Sequence, residues 1–140
     1  MRLTVKALRP GDLDNMVFTA ALKGLARDYS GSSTNIQFEL DEELHLSPSQ
    51  ETILYRIIQE SITNSVRHGE ANLIKVCLKR NEKGLLLEVK DDGKGYMELN
   101  EGYGLRGIRE RAADLGADVS FINQESGGFL VSLTLEELAL

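Results

Sequence analysis

The sequence predicts an α+β fold, a two-layer α/β sandwich in which a mixed, mainly antiparallel sheet carries helices on one face. Two observations lead to this prediction. Helical and strand-like hydrophobic patterns follow one another in the order helix, strand, long helix, two strands, helix, two strands. In both strand pairs the two strands are separated by a short polar turn that contains glycine, which is typical of antiparallel neighbours. Such a sheet is usually covered by its helices on one side.

The N-terminal part of the chain is predicted to contain one helix and one strand. Apolar side chains recur at helical spacing within residues 13–29, at Leu13, Val17, Ala20, Ala21 and Leu25. The glycine and serines at 31–33 end this helix. Apolar and polar side chains then alternate over Asn35–Leu40, which predicts a strand.

A long second helix carries signals for both of its ends. Ser47 can cap it, Pro48 suits its first turn, and Gln50 completes the spacing of a capping box. Gly69 ends it after about residue 68. One face of this helix is apolar and should join the core, through Leu54, Ile58, Ile62 and Val66.

The C-terminal half is predicted to form two strand pairs with a helix between them. Turns at 81–84 and 125–128 join the pairs, and Gly116 ends the helix. The predicted elements are strands 73–79 and 85–90, the helix Leu105–Leu115, and strands 118–122 and 129–135.

The composition is that of one globular domain and argues against two classes of protein. The chain has 140 residues, of which 41% are hydrophobic and 27% charged, enough for a single domain with its own core. Its net charge of −6 is opposite to the basic footprint of nucleic-acid-binding proteins, so we expect no nucleic acid partner. We see no apolar run near the roughly 20 residues of a membrane span and no signal-peptide pattern, and we expect a cytoplasmic location.

The lone cysteine, Cys77, predicts a protein without a disulfide framework, in a reducing compartment. We expect its side chain to be a small buried group within a strand.

A polar row on the long helix is the first candidate site. Its members recur one turn apart, Glu60, Asn64 and His68, with Arg67 beside them. Ile53 and Ile57 fall on the same face, as they would in the floor of a cleft. From spacing alone, an ordinary exposed polar face is the more common arrangement.

An acidic, glycine-containing segment directly after a strand is the second candidate. Asp91 ends the strand, and Gly93 and Gly95 allow a ligand to approach the backbone closely. The carboxylate could accept a hydrogen bond from an exocyclic amine such as that of adenine. A plain acidic turn is the alternative. A calcium loop is not expected, because the later oxygen ligands and the closing glutamate are missing.

A glycine-rich segment that opens a helix is the third candidate. It contains Gly102, Tyr103, Gly104, Leu105 and Gly107. Backbone N–H groups at a helix N-terminus suit phosphate, although a flexible hinge remains the alternative. The segment is not a P-loop, because it lacks the Gly-Lys-Ser/Thr sequence. It is not a dinucleotide-binding fingerprint either, because its spacing differs and a loop precedes it.

Taken together and in order, these three motifs resemble the N, G1 and G2 boxes of the GHKL (Bergerat-fold) ATPases. The matching residues are Glu60-x-x-x-Asn64-x-x-Arg67-His68, then Asp91-x-Gly93-x-Gly95, then Gly102-x-Gly104-Leu105-x-Gly107-Ile108. Within that superfamily the sequence is similar to bacterial sensor histidine kinases of the nitrate-sensor and lipid-sensor type. That similarity includes Arg109-Glu110-Arg111, a short ATP lid at 96–101, and the entry segment Leu8-Arg9-Pro10.

For the N box the resemblance implies roles at the phosphate end of Mg-ATP. Asn64 would coordinate the Mg²⁺ ion that the triphosphate holds. Glu60 would act as general base or polarise the attacking group. Arg67 and His68 would lie near the phosphates.

For the two glycine boxes the resemblance implies contacts with the base and a lid. Asp91 would bind the adenine amino group, with Gly93 and Gly95 allowing the base to approach. The second box would shape the lid and its hinge and bind nucleotide, through Gly102, Tyr103, Gly104, Leu105 and Gly107.

The sequence departs from the family pattern at two places. Where the family commonly has Gly-Thr, this chain has Gly127-Gly128-Phe129, so a hydroxyl of the adenine pocket is missing, and Phe129 could pack on the core or against the base. No phosphoacceptor histidine is visible either, because His45 precedes the helix cap and His68 belongs to the N box. We therefore expect a fragment, with residues 1–10 as the tail of a dimerisation helix and linker, and residues 11–140 as the catalytic domain.

The function that the resemblance implies is that of a sensor histidine kinase catalytic domain. It would bind ATP and Mg²⁺ and transfer the γ-phosphoryl to a histidine on a separate dimerisation domain, with a response regulator downstream. The fragment itself should be monomeric, and its parent could be membrane-anchored. The alternatives are a nucleotide-binding module that controls a partner protein and an anti-sigma-factor type serine kinase.

Overall fold

The computed structural model describes residues 10–29, 33–42, 44–96 and 104–137. In this part of the chain the predicted order of helices and strands is confirmed. The elements are α1 (Pro10–Asp28), β1 (Asn35–Leu40), α2 (Pro48–Arg67), β2 (Leu73–Asn81), β3 (Gly84–Asp91), α3 (Leu105–Leu115), β4 (Asp118–Asn123) and β5 (Phe129–Glu136).

The first helix begins earlier than the apolar pattern predicts. It starts at Pro10 rather than at residue 13 and ends at Asp28. A proline is well suited to the first position of a helix, because the N–H that it lacks would have no partner inside the helix. Residues 1–9, which include Leu8 and Arg9 of the predicted entry segment, lie outside the described residues.

The five strands form one mixed sheet in the order β1-β2-β3-β5-β4. Only β1 and β2 run parallel, and the other three pairings are antiparallel. A parallel pair needs a crossover connection, and α2 lies within the connection between these two strands. The prediction of a mixed, mainly antiparallel sheet is confirmed.

The long helix α2 begins with the predicted capping box. The Ser47 hydroxyl accepts a hydrogen bond from the Gln50 N–H at 3.2 Å, and the Gln50 side-chain oxygen accepts one from the Ser47 N–H at 2.9 Å. Further along, Leu54, Ile58 and Ile62 are completely buried. The predicted apolar stripe is therefore core, apart from Val66, which is half-buried at its end.

The helices lie on one face of the sheet, where α2 packs against β2, β3 and the other two helices. Alternate strand residues point into that layer and are buried, among them Ile74, Val76 and Leu78 in β2 and Leu85, Leu87 and Val89 in β3. Lys75 and Lys79 occupy intervening positions of β2 and are exposed.

Among the described residues, no helix combines the length and the hydrophobicity that a membrane span requires.

Cys77 lies in a strand, as predicted, but the prediction that its side chain is buried was wrong. The side chains of Val76 and Leu78 on either side face the core, so Cys77 points to the opposite face of the sheet and is only half-buried. Partial burial raises the pKa of its thiol, although the positive charge of Lys79 acts in the opposite direction and lowers it.

Candidate functional site

Buried polar side chains are concentrated on α2 and at the end of β3. Among the described residues they are Ser61, Asn64, Ser65 and Asp91, none more than 6% exposed. The Ser61 hydroxyl donates to the Ile57 carbonyl at 2.8 Å, a bond within the helix. The other three lie in the region where the sequence motifs place a ligand.

The Asp91 carboxylate accepts hydrogen bonds from three separate parts of the fold. Its Oδ2 accepts from the Ser65 hydroxyl of α2 at 2.6 Å. Its Oδ1 accepts from the N–H of Gly93 at 2.9 Å and from the N–H of Phe129 in β5 at 3.1 Å. We call these three bonds the Asp91 network. They fix the orientation of a carboxylate that is 5% exposed.

The glycine segment after Asp91 runs directly against the end of α2. The N–H of Lys94 donates to the Gly69 carbonyl at 2.8 Å. A Cβ at position 93 would be 2.3 Å from that same carbonyl oxygen, so any residue other than glycine would push the segment away from the helix. The first glycine box thus lies beside the end of the N-box helix.

The second glycine box meets the N box at Gly104, which precedes α3. A Cβ on Gly104 would lie 2.7 Å from Oε1 of Glu60 and 3.3 Å from both Oδ1 and Nδ2 of Asn64. Gly104 has a φ of 83°, and among the described residues no side chain caps the helix. The helix therefore begins against Glu60 and Asn64. The first backbone N–H groups of a helix have no partner inside the helix, so they can bind an acceptor from outside it.

Asn64 is buried and, among the described residues, has an unsatisfied hydrogen-bond donor. Its side chain is 6% exposed, and its Nδ2 makes no hydrogen bond with any part of the chain that the structure describes. A buried N–H donor without a partner costs about 1–3 kcal/mol. A ligand that brings an acceptor oxygen between α2 and the start of α3 could supply the missing partner.

The remaining N-box and G2-box residues take different positions. Arg67 and His68 are exposed at the end of α2 and are not part of the Asp91 network. Leu105 is 1% exposed and belongs to the core, which leaves its backbone as the part that can meet a ligand. A Cβ at Gly107 would lie 3.1 Å from the end of the Arg111 side chain. Gly102 and Tyr103, with the rest of the predicted lid beyond Tyr96, lie outside the described residues.

The side chain of Phe129 packs in the core, which decides between the two possibilities that the sequence left open. It is 4% exposed, stacks on Phe121 at a centroid distance of 6.3 Å, and meets Tyr96 edge-on at 4.7 Å. What Phe129 offers to the site is its backbone N–H.

Two residues of this region were not predicted from the sequence. Ser65 contacts Asp91, but between Asn64 and Arg67 it has the appearance of an ordinary helix residue. Asn123 holds both backbone groups of Tyr96, accepting from its N–H at 3.0 Å and donating to its carbonyl at 2.7 Å. A Cβ on the buried Gly95 would be 2.6 Å from the same Asn123 side chain. No sequence pattern points to either contact, since each depends on the tertiary fold.

Comparison with known protein families identifies the family of this domain. The family described as "Histidine kinase-, DNA gyrase B-, and HSP90-like ATPase" matches residues 49–139. The chain belongs to this family. That range contains all three motifs, and the predicted membership in the GHKL ATPases is confirmed.

Similar proteins are sensor histidine kinases, and they place the domain in the histidine-kinase branch of the GHKL family. This branch was predicted from the sequence. The chain is 33% identical over 125 residues to the signal transduction histidine-protein kinase/phosphatase UhpB of Salmonella typhimurium, a match covering 86% of this chain and 25% of that protein. It is 30% identical over 131 residues to the sensor protein VraS of Staphylococcus saprophyticus, covering 91% of this chain and 38% of the relative. The chain thus spans well under half the length of these relatives.

Solved structures agree on the fold. The blue-light activated histidine kinase of Erythrobacter litoralis matches with a TM-score of 0.71 at 17% identity, over 87% of this chain and 43% of that one. The ATP binding domain of PrrB from Mycobacterium tuberculosis matches with a TM-score of 0.65 at 21% identity, over 86% and 94% of the two chains.

We expect Asp92, next to the Asp91 network, to make a pH-dependent contribution to the stability of the domain. Its Oδ1 accepts from the N–H of Leu73 at 2.9 Å and from the N–H of Asn72 at 2.8 Å. These bonds lower the pKa of its carboxyl, and the bond from Leu73 has the largest effect. Its ordinary pKa is about 3.9. The stabilisation is therefore complete above that pH and disappears as the pH falls through the lower folded value. Denaturant titrations of the unmutated domain and Asp92→Asn should differ at neutral pH and converge in acid.

The matched control is Asp118→Asn, at an exposed position at the start of β4. Its effect on the free energy of unfolding should be small. A stability difference for Asp92→Asn that is equal at pH 7 and pH 3 would contradict the assignment.

Proposed function

We propose that this chain is the Mg-ATP-binding catalytic domain of a sensor histidine kinase, which transfers the γ-phosphoryl group of ATP to a histidine on a separate dimerisation domain. The observation that carries the proposal is the convergence of three distant motifs. Glu60 and Asn64 lie against Gly104, and Asp91 is held beside the same helix by Ser65. The similarity to sensor histidine kinases supports the choice of this activity within the ATPase family.

At the base end, Asp91 is the residue that would recognise adenine. A carboxylate accepts hydrogen bonds and cannot donate them when ionised, so it favours the exocyclic amine of adenine over the carbonyl that guanine has at that position. Gly93 and Gly95 would let the base approach. Phe129 lacks the hydroxyl that the family's threonine carries. This role of Asp91 is still possible, because the Phe129 N–H binds its Oδ1.

At the phosphate end, the buried amide of Asn64 fits a Mg²⁺ ion that arrives with the triphosphate. Magnesium is usually held by few protein oxygens together with substrate phosphates and water, so one amide oxygen is sufficient. When bound, the ion would neutralise charge on the transferring phosphoryl group. Exposed Arg67 and His68 would add positive charge or hydrogen bonds near the phosphates, and the start of α3 would offer N–H groups.

Glu60 is placed to act on the attacking group. It is half-buried, one turn before Asn64 on α2, and its carboxylate faces Gly104. A carboxylate beside the γ-phosphoryl could orient an imidazole and accept its proton as the N–P bond forms and the bond to the β–γ bridging oxygen breaks.

The acceptor imidazole would come from another domain. His45 precedes the cap of α2, while Glu60 and Asn64 lie in the C-terminal half of this 20-residue helix. With about 1.5 Å of rise per residue, that places His45 more than about 15 Å away. We infer a histidine-bearing dimerisation domain as partner, a response regulator downstream, a cytoplasmic site of action, and a monomeric state for the domain alone.

Asp91→Asn should weaken ATP binding by about ten- to a hundredfold, because an amine would then face an amide N–H or a bond of the Asp91 network would be lost. Isothermal titration calorimetry measures the effect. Asp92→Asn is the control, since its carboxylate binds the start of β2 instead. Equal ATP affinity for Asp91→Asn and the unmutated domain would remove Asp91 from the adenine site.

Asn64→Ala should remove the magnesium-dependent part of ATP affinity and leave the fold intact. The reason is that its side chain would hold the ion rather than the nucleotide. ATP is titrated with Mg²⁺ and with a chelator, and far-UV circular dichroism monitors folding. If Mg²⁺ strengthens ATP binding to the folded variant as much as to the original, Asn64 is not a ligand.

The isolated domain should bind ATP and acquire no stable acid-labile phosphate. Adding the separate histidine-bearing dimerisation domain should start transfer in trans, slowly because the tether is missing. Glu60→Gln should abolish transfer and keep ATP binding. Label on His45 or His68 would disprove the need for an external acceptor. Absence of transfer, with ATP bound, would favour a nucleotide-controlled binding module.

A further inference from the structure

Ser65 belongs to none of the three sequence motifs, yet its hydroxyl makes the shortest bond in the Asp91 network. Ser65 and Asp91 are each 5% exposed, and Oγ lies 2.6 Å from Oδ2. That separation is typical of an O–H donor bound to an ionised carboxylate, which is a strong class of hydrogen bond. The geometry is therefore that of a built contact between α2 and β3, and not of an incidental approach.

The bond from Ser65 takes up one of the acceptor positions of the Asp91 carboxylate. A carboxylate has about four lone-pair positions, two on each oxygen. Oδ1 already accepts from two backbone N–H groups, those of Gly93 and Phe129. Oδ2 accepts from Ser65 alone among the described residues. One acceptor position is left, on Oδ2, beside the position that the Ser65 hydroxyl occupies.

We propose that Ser65 is a specificity-determining positioning residue, which orients Oδ2 of Asp91 so that its remaining lone pair meets the exocyclic amine of the purine. The proposal rests on the proposed function, because it assumes that Asp91 recognises adenine. Ser65 acts through Asp91 and does not itself need to touch the base. It replaces, from the helix side, the hydroxyl that is absent beside Phe129.

The position of Ser65 in the chain gives this contact a further consequence. It directly follows Asn64, and the two side chains leave the helix about 100° apart. Asn64 faces the start of α3, while Ser65 faces the end of β3. Adjacent residues of one rigid helix thus set both the phosphate end and the base end of the site, so the distance between the two ends is fixed by the backbone.

The test compares two nucleotides that differ only in the amine. Calorimetry gives the dissociation constants of ATP and of purine riboside 5′-triphosphate, which lacks the exocyclic amine. For the unmutated domain we expect a clear preference for ATP. In Ser65→Ala that preference should fall about three- to tenfold, the range of one hydrogen bond. The loss should come from ATP, with the affinity for the amine-free analogue nearly unchanged.

Ser61→Ala is the matched control. It also removes one buried hydroxyl from α2, one turn earlier, but that hydroxyl binds the Ile57 carbonyl and not Asp91. Its nucleotide preference should equal that of the unmutated domain, whatever its stability. Ser65→Thr keeps the hydroxyl and should retain most of the preference. Ser65→Cys keeps the volume with a much weaker donor, and it should lose the preference as Ser65→Ala does.

An unchanged preference in Ser65→Ala, or in Ser65→Cys if the alanine variant does not fold, would overturn the proposal and leave Ser65 a purely structural role. Failure of the proposed function gives a different result. In that case the unmutated domain itself would bind both nucleotides equally or bind neither, before any Ser65 variant is compared.

Discussion

The buried carboxylate of Asp91 is the constraint on which the arrangement of the site depends. Removing such a group from water is costly unless hydrogen bonds replace its hydration, and here they come from α2, from the glycine segment and from β5. These bonds require the three parts of the chain to meet at one point. A Cβ on Gly128 would be 2.0 Å from the Asp91 carbonyl oxygen, so the approach of β5 depends on glycine as well.

The helix α2 connects this constraint to the rest of the fold. Its apolar side rests on the sheet through Leu54, Ile58 and Ile62, and its capping box fixes where it begins. Helical spacing then places Glu60, Asn64 and Ser65 at defined heights and directions above the sheet. The first turn of α3 approaches closely enough at Gly104 to leave no room for a side chain. A single helix therefore organises the whole site, with the core on one side and the polar groups on the other.

The sequence alone predicted most of the fold, and less of the site. The limits of β1 and α3 were predicted to the residue, because alternation, helical spacing and a terminal glycine are local signals. Cys77 was placed in the right strand, but the strand's register decided which face it occupies. Asp91 and Asn64 could be found from motif spacing. The contact between Ser65 and Asp91 could not, since 26 residues separate the partners and only the pairing of helix and sheet brings them together.

A crystal structure of the domain with Mg²⁺ and a non-hydrolysable ATP analogue tests the central claim most directly. The exocyclic nitrogen of adenine should lie within about 3.2 Å of Oδ2 of Asp91, with the Ser65 and Phe129 bonds to Asp91 kept. The metal ion should lie within coordination distance of the Asn64 amide oxygen. A nucleotide bound with its base away from Asp91, or with Oδ2 facing no donor except Ser65, would contradict the proposed recognition of adenine.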